Sequence, residues 1–159
     1  MNNAIGHRRI VVGVDGSASS IAALQEAATI AAATGARIEA VSCWSVPTAL
    51  AVQYALGNLD LEGGARNMLG VALTKAFGPD IPKNVSMHLI RGDARQVLPA
   101  VSDGADMLVV GRRGHGGFAG ALLGSVGQAC LEHAPCPVMV LGNVAASELF
   151  ADGEMSEKV

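Results

Sequence analysis

Short apolar runs alternate with longer amphipathic stretches from Arg9 to Leu141. The runs Arg9–Val14, Arg37–Trp44, Val85–Ile90, Asp106–Val110 and Pro137–Leu141 are compact and rich in Val, Ile and Leu. They predict buried strands. Ser17–Thr34, Asp60–Phe77, Asp93–Ser102 and Gly124–His133 predict helices. Ser17 or Ser19 caps the first of these and Gly35 stops it. Gly78-Pro79 ends the second, and Asp93 caps the third. Pro47–Leu59 is a longer connection whose helical content the pattern leaves open. Strand and helix alternating four times point to parallel βαβ units with helices on both faces of one sheet.

The chain has 159 residues, half of them hydrophobic, which suits one α/β domain. One Trp, one Tyr and three Phe leave the core to Ala, Val, Gly and Leu. Residues 1–8 form an N-terminal extension. Residues 143–159 form an acidic tail, in which Glu148, Asp152, Glu154 and Glu157 outweigh Lys158. A net charge of −3 gives no basic footprint for nucleic acid. Three irregularly spaced cysteines suggest no disulfide framework and a reducing compartment. Met1–Arg9 is too polar for a signal peptide, and no apolar run reaches membrane-spanning length. The expectation is a cytoplasmic protein without membrane partners.

The densest chemistry lies between Gly111 and Ser125. An apolar strand leads into Gly111-Arg112-Arg113-Gly114-His115-Gly116-Gly117, and Gly124-Ser125 opens a helix. Glycines let backbone N–H groups approach a ligand, and a helix N-terminus adds donors and partial positive charge. Together they form a phosphate cradle, with Ser125 as helix cap or phosphate ligand and the Val126 N–H as a further donor. Arg112 and Arg113 either meet phosphate or form a solvated pair. Asp15 ends the first strand, where it serves either a ribose or adenine donor or the turn at Gly16.

Rival motifs are weaker. Gly114-His115-Gly116-Gly117-Phe118-Ala119 fits the dinucleotide fingerprint, but no acidic residue ends a strand about twenty residues later. No Gly-Lys-Ser/Thr sequence supports P-loop phosphoryl transfer. Cys130-x-x-His133-x-x-Cys136 offers only three ligands, interrupted by Pro135. Cys130 suits an apolar helix face better than zinc. A Ser125–His115 hydrolase lacks the G-x-S-x-G turn.

The spacing Gly111, two residues, Gly114, nine residues, Gly124-Ser125 resembles the nucleotide-binding motif of the universal stress protein family. Ile10-Val-Val-Gly-Val-Asp15-Gly-Ser17 is similar to that family's first strand and turn, and Pro135-Cys-Pro-Val-Met-Val140 to its last strand. The resemblance spans roughly residues 8–142. It implies a five-stranded parallel sheet of order 3-2-1-4-5. The order reverses between the first and fourth strands, where open sheets bind ligands. It further implies ATP, with or without Mg2+, held in a regulatory or stress-response role. Gly13, Val14 and Asp15 would lie near the ribose, Val41 and Cys43 at the adenine, and Trp44 either at the same mouth or over a core edge. Gly111, Arg112, Gly114, Gly124, Ser125 and Val126 would line the phosphates, His115 and Gly116 would extend a lid with Gly117, and Val110 would complete the nucleotide site. Close strand–helix packing is the other role open to Gly13. Cyclic AMP would need the same slot and cradle. An adenylyl-transferring or flavoprotein-like module is the enzymatic alternative, and hydrolysis is expected to be slow at most. The last strand, through Val138 and Val140, is expected to pair with a second copy across a two-fold axis.

Overall fold

In the computed structural model, residues 8–112 and 123–142 are described. Five strands run in chain order: β1 (Arg9–Gly13), β2 (Arg37–Trp44), β3 (Val85–Arg91), β4 (Met107–Gly111) and β5 (Val138–Leu141). They form one parallel sheet of order β3-β2-β1-β4-β5. The helices are α1 (Ala18–Thr34), α2 (Ala51–Ala55), α3 (Leu61–Phe77), α4 (Ala94–Val101) and α5 (Ser125–His133).

The two-residue alternation of the strands sorts the core into two layers. Ile10, Val12, Ile38, Ala40 and Val109 meet Ala23, Leu24, Ala27 and Ala31 of α1 and Leu69, Ala72 and Leu73 of α3. On the opposite face, Val11, Val41, Leu108 and Val110 meet Leu98 of α4 and Cys130 of α5. The repeat of Ala at 23, 27 and 31 puts small side chains along one stripe of α1, so the helix can lie close to the sheet. The scarcity of aromatics is consistent with this close layering.

Side-chain caps set most helix starts. The Ser17 hydroxyl accepts from the Ser20 N–H, Asp60 from the Gly63 N–H and Asp93 from the Arg95 N–H. Gly35 ends α1 in the left-handed conformation, φ 72°, as its place after Thr34 predicts. The connection left open by the pattern holds a single 3-10 turn, Thr48–Leu50, followed by the five-residue α2. At the far end of the sheet, Arg9 pairs with Glu39 at 2.8 Å and its backbone N–H reaches Asp106 at 2.7 Å. That end is closed by ion pairs, and the carboxyl ends of the strands remain for a site. Among the described residues no helix is long and apolar enough to cross a membrane.

Candidate functional site

The carboxyl ends of β1 and β4 flank a cleft of about 240 Å³ where the strand order reverses. Eleven predicted site residues line it: Gly13, Val14, Asp15, Val41, Cys43, Val110, Gly111, Arg112, Gly124, Ser125 and Val126. Gly114, His115 and Gly116 lie outside the described residues, as do Arg113 and Gly117. The volume is below the roughly 300–1,000 Å³ of pockets that enclose a whole drug-sized ligand.

Each wall follows from local sequence. The Val14 N–H donates to the Val41 carbonyl at 2.8 Å, so the ends of β1 and β2 stay joined beyond the last strand residue. Asp15 then turns the chain into α1. Its Oδ1 accepts from the Ser17 N–H at 2.9 Å and from the Ser17 hydroxyl. The turn-forming role of Asp15 is therefore real, and its Oδ2 takes part in neither bond. Across the cleft, the Arg112 N–H donates to Leu141 at 2.7 Å, and the Arg112 carbonyl accepts from the Gly124 N–H at 2.8 Å. The chain leaves β4 and re-enters α5 at one pinched point.

The start of α5 differs from the expected cap. Gly124, not Ser125, is the N-cap residue, and it has no side chain to accept from the first turn. Ser125 is the first helical residue and is exposed. The first N–H groups of a helix have no intrahelical partners. Here Ser125, Val126 and Gly127 carry them along the cleft. Of the four longer helices, α5 alone starts without a side-chain cap. A helix N-terminus left open toward a cleft is a ready anion site.

Two glycines have other reasons than the expected ones. Gly111 is an extended residue of β4, not a left-handed loop residue. A Cβ there would lie 2.8 Å from the carbonyl carbon of Ser19, so Gly111 lets the start of α1 press against the sheet. A Cβ on Gly13 would lie 2.8 Å from Leu98 Cδ1. Its packing role is thus explicit, although it also lines the cleft.

One end of the cleft is apolar. Val41, Cys43, Val110, Ala94 and Leu98 face it. Burial first, then the Asp93 and Cys130 charges, push the Cys43 thiol up to about 11. It is a neutral wall residue at physiological pH, not a nucleophile. Cys130, pushed up to about 11 chiefly by burial, is fully buried beneath it. Trp44 does not face the cleft; it packs against Tyr54 and Arg91. Among the described residues no group of three His, Cys, Asp or Glu is placed to hold a metal.

Ser17, Ser20, Ala94, Leu98 and Gly127 also line the cleft and were not among the predicted site residues. Ser17 and Ser20 lie in the turn and first helical turn after Asp15, and a helix that follows a strand of a parallel sheet starts near the sheet's carboxyl edge. Those signals were available. Nothing in the composition of α4 marks Leu98 as a wall residue.

The universal stress protein family model matches residues 6–142. Two universal stress proteins of Mycobacterium tuberculosis are similar in sequence. One is 32% identical over 139 residues, covering 84% of this chain and 45% of that protein. The other is 31% identical over 142 residues, covering 82% and 44%. The chain thus spans about half the length of these curated relatives. A universal stress protein solved in complex with cAMP superposes with a TM-score of 0.54 at 28% identity, covering 86% of this chain and 97% of that one. UspA from Lactobacillus plantarum shares the fold with a TM-score of 0.70 at 22% identity, covering 85% and 97%.

Proposed function

The chain belongs to the universal stress protein family, and from that premise we propose that it binds an adenine nucleotide, ATP in the first instance, as a regulatory or stress-response protein. The observation that carries this reading is the uncapped start of α5. It opens on a cleft whose other walls are an apolar slot and the Asp15 carboxylate. The base would enter between Val41, Cys43 and Val110. The ribose hydroxyls would donate to Asp15 Oδ2. The phosphates would accept from the N–H groups of Ser125, Val126 and Gly127 and from the Ser125 hydroxyl, with Arg112 supplying positive charge. Gly114, His115 and Gly116 would extend the cradle. Any Mg2+ would be held by phosphate oxygens, because among the described residues Asp15 is the one carboxylate lining the cleft.

This arrangement binds but offers little for turnover. The neutral Cys43 is no nucleophile. Hydrolysis, where it occurs, is slow, and binding itself is the signal. Cyclic AMP is the second reading, favoured by the relative solved with that ligand.

Calorimetric titration with ATP, AMP, cyclic AMP and GTP, with and without magnesium, tests both. The expected ATP affinity is micromolar or weaker, about −8 kcal/mol or smaller in magnitude. Tighter binding of cyclic AMP than ATP would transfer the assignment to the second reading. Folded protein that binds no adenine nucleotide would refute both.

A further inference from the structure

The apolar end of the cleft is walled partly by Cys43, at the end of β2, and by Ala94, at the start of α4. Both wall segments continue directly into one aromatic cluster. Trp44 follows Cys43, and Arg91 precedes Ala94 by three residues. The Arg91 guanidinium carbon lies 5.4 Å from the Trp44 ring centroid and 5.6 Å from that of Tyr54. The two rings are 6.2 Å apart and tilted by 55°. The Gly92 N–H donates to the Trp44 carbonyl at 2.8 Å, which joins the two strand ends through the backbone as well.

The cluster uses the chain's only Trp and only Tyr. Among the described residues Arg91 makes no salt bridge, so the two ring faces are what hold its side chain. Tyr54 is the only residue of α2 that is not exposed. Its neighbours Val52 and Leu56 are 72% and 70% exposed. A cation lying over an aromatic face is attracted by the ring quadrupole. One guanidinium holding two rings therefore fastens the β2–α3 connection to the β3–α4 connection, beside the slot the base would enter.

We propose that Arg91 is a positioning residue for the base: by gripping Trp44 and Tyr54 it sets the separation of the Cys43 and Ala94 walls. This rests on the nucleotide reading of the cleft. A planar base is selected by a slot of fixed width, and releasing the grip lets the walls part. Selectivity between bases then falls along with affinity.

The variants Arg91→Ala, Arg91→Lys and Tyr54→Ala test this, with circular dichroism to confirm the fold. Trp44 emission without ligand reads the cluster directly, and titration with ATP and GTP reads the slot. Arg91→Ala is expected to shift Trp44 emission to the red and to weaken ATP roughly fivefold, the size of one exposed cation–π pair. GTP should change less, so the ATP-to-GTP preference narrows. Arg91→Lys should recover part of that preference, because it keeps the charge. An unchanged ATP affinity and preference in folded Arg91→Ala, with wild type binding normally, overturns the proposal. An equal loss for both nucleotides also overturns it, as the mark of a merely structural residue. Wild-type protein that binds neither nucleotide defeats the reading of the cleft, and this inference with it.

Discussion

A methyl group added at Gly111 would lie 2.8 Å from the backbone carbonyl carbon of Ser19, and a backbone atom cannot rotate away. Gly111→Ala is therefore expected to lower stability by about 1–3 kcal/mol, as overpacking does. Gly70 gives the opposite sign. It sits inside α3 with nothing within 4 Å of an added Cβ. Gly70→Ala should raise stability by about 0.5–1 kcal/mol through helix propensity. Urea denaturation of both variants checks the pair, and equal signs would show that the packing of α1 on the sheet does not require Gly111. Gly124→Glu probes the cradle separately. A carboxylate at the mouth of α5 would fill the phosphate space and repel the anion. ATP binding should vanish in calorimetry while circular dichroism stays native; wild-type affinity would move the phosphates elsewhere.

At the scale of the element, α4 depends on a cap that titrates. The Arg95 side chain, and next its backbone N–H, hold the Asp93 carboxyl down at about 2, against an ordinary value of 3.8. The folded-state value is depressed, so the ionised cap contributes fully above 3.8 and is lost as pH falls through about 2. The stability difference between wild type and Asp93→Asn should shrink across that window in urea titrations. A difference that stays constant there would mean the carboxylate does not stabilise the helix start. Asp93 was also legible in advance as a cap, as were the strands, because buried parallel strands are short apolar runs with turn residues at their ends. Arg37–Trp44 matches its predicted bounds, and the other strands shift by a residue or so. What stayed illegible is instructive. α2 is anchored by Tyr54 on Arg91, a contact between distant residues that no periodicity announces. The cap of α5 was misplaced by one residue because Ser is the commoner N-cap, whereas here the extended residue is Gly124. Leu98 reached the cleft wall only because Gly13 leaves room for it.

For the whole molecule, the open question is what meets the outer edge of β5, which pairs with no other strand among the described residues. The Pro137 and Leu141 carbonyls accept from Leu108 of β4 and from Arg112 just beyond its end. Successive residues of a strand point their backbone groups to alternate sides, so Val138 and Val140 present theirs to the open edge. Their side chains, by contrast, pack in the layer with Leu98 and Cys130. An apolar strand with an unpaired edge invites association. A second copy pairing there across a two-fold axis would satisfy those groups in a self-complementary contact. A charged side chain at Val140 would disturb the core as well as the edge, so proline is the cleaner probe. It removes the outward N–H of Val140 and leaves the bonds of Pro137 and Leu141 to β4 in place. Sedimentation at micromolar concentration should give a dimer for wild type and a folded monomer for Val140→Pro. Deleting residues 143–159 separates the other candidate, the acidic tail lying over the edge. If the tail covers it, wild type sediments as a monomer and the truncated chain associates; if the edge pairs with its own copy, truncation leaves the dimer intact.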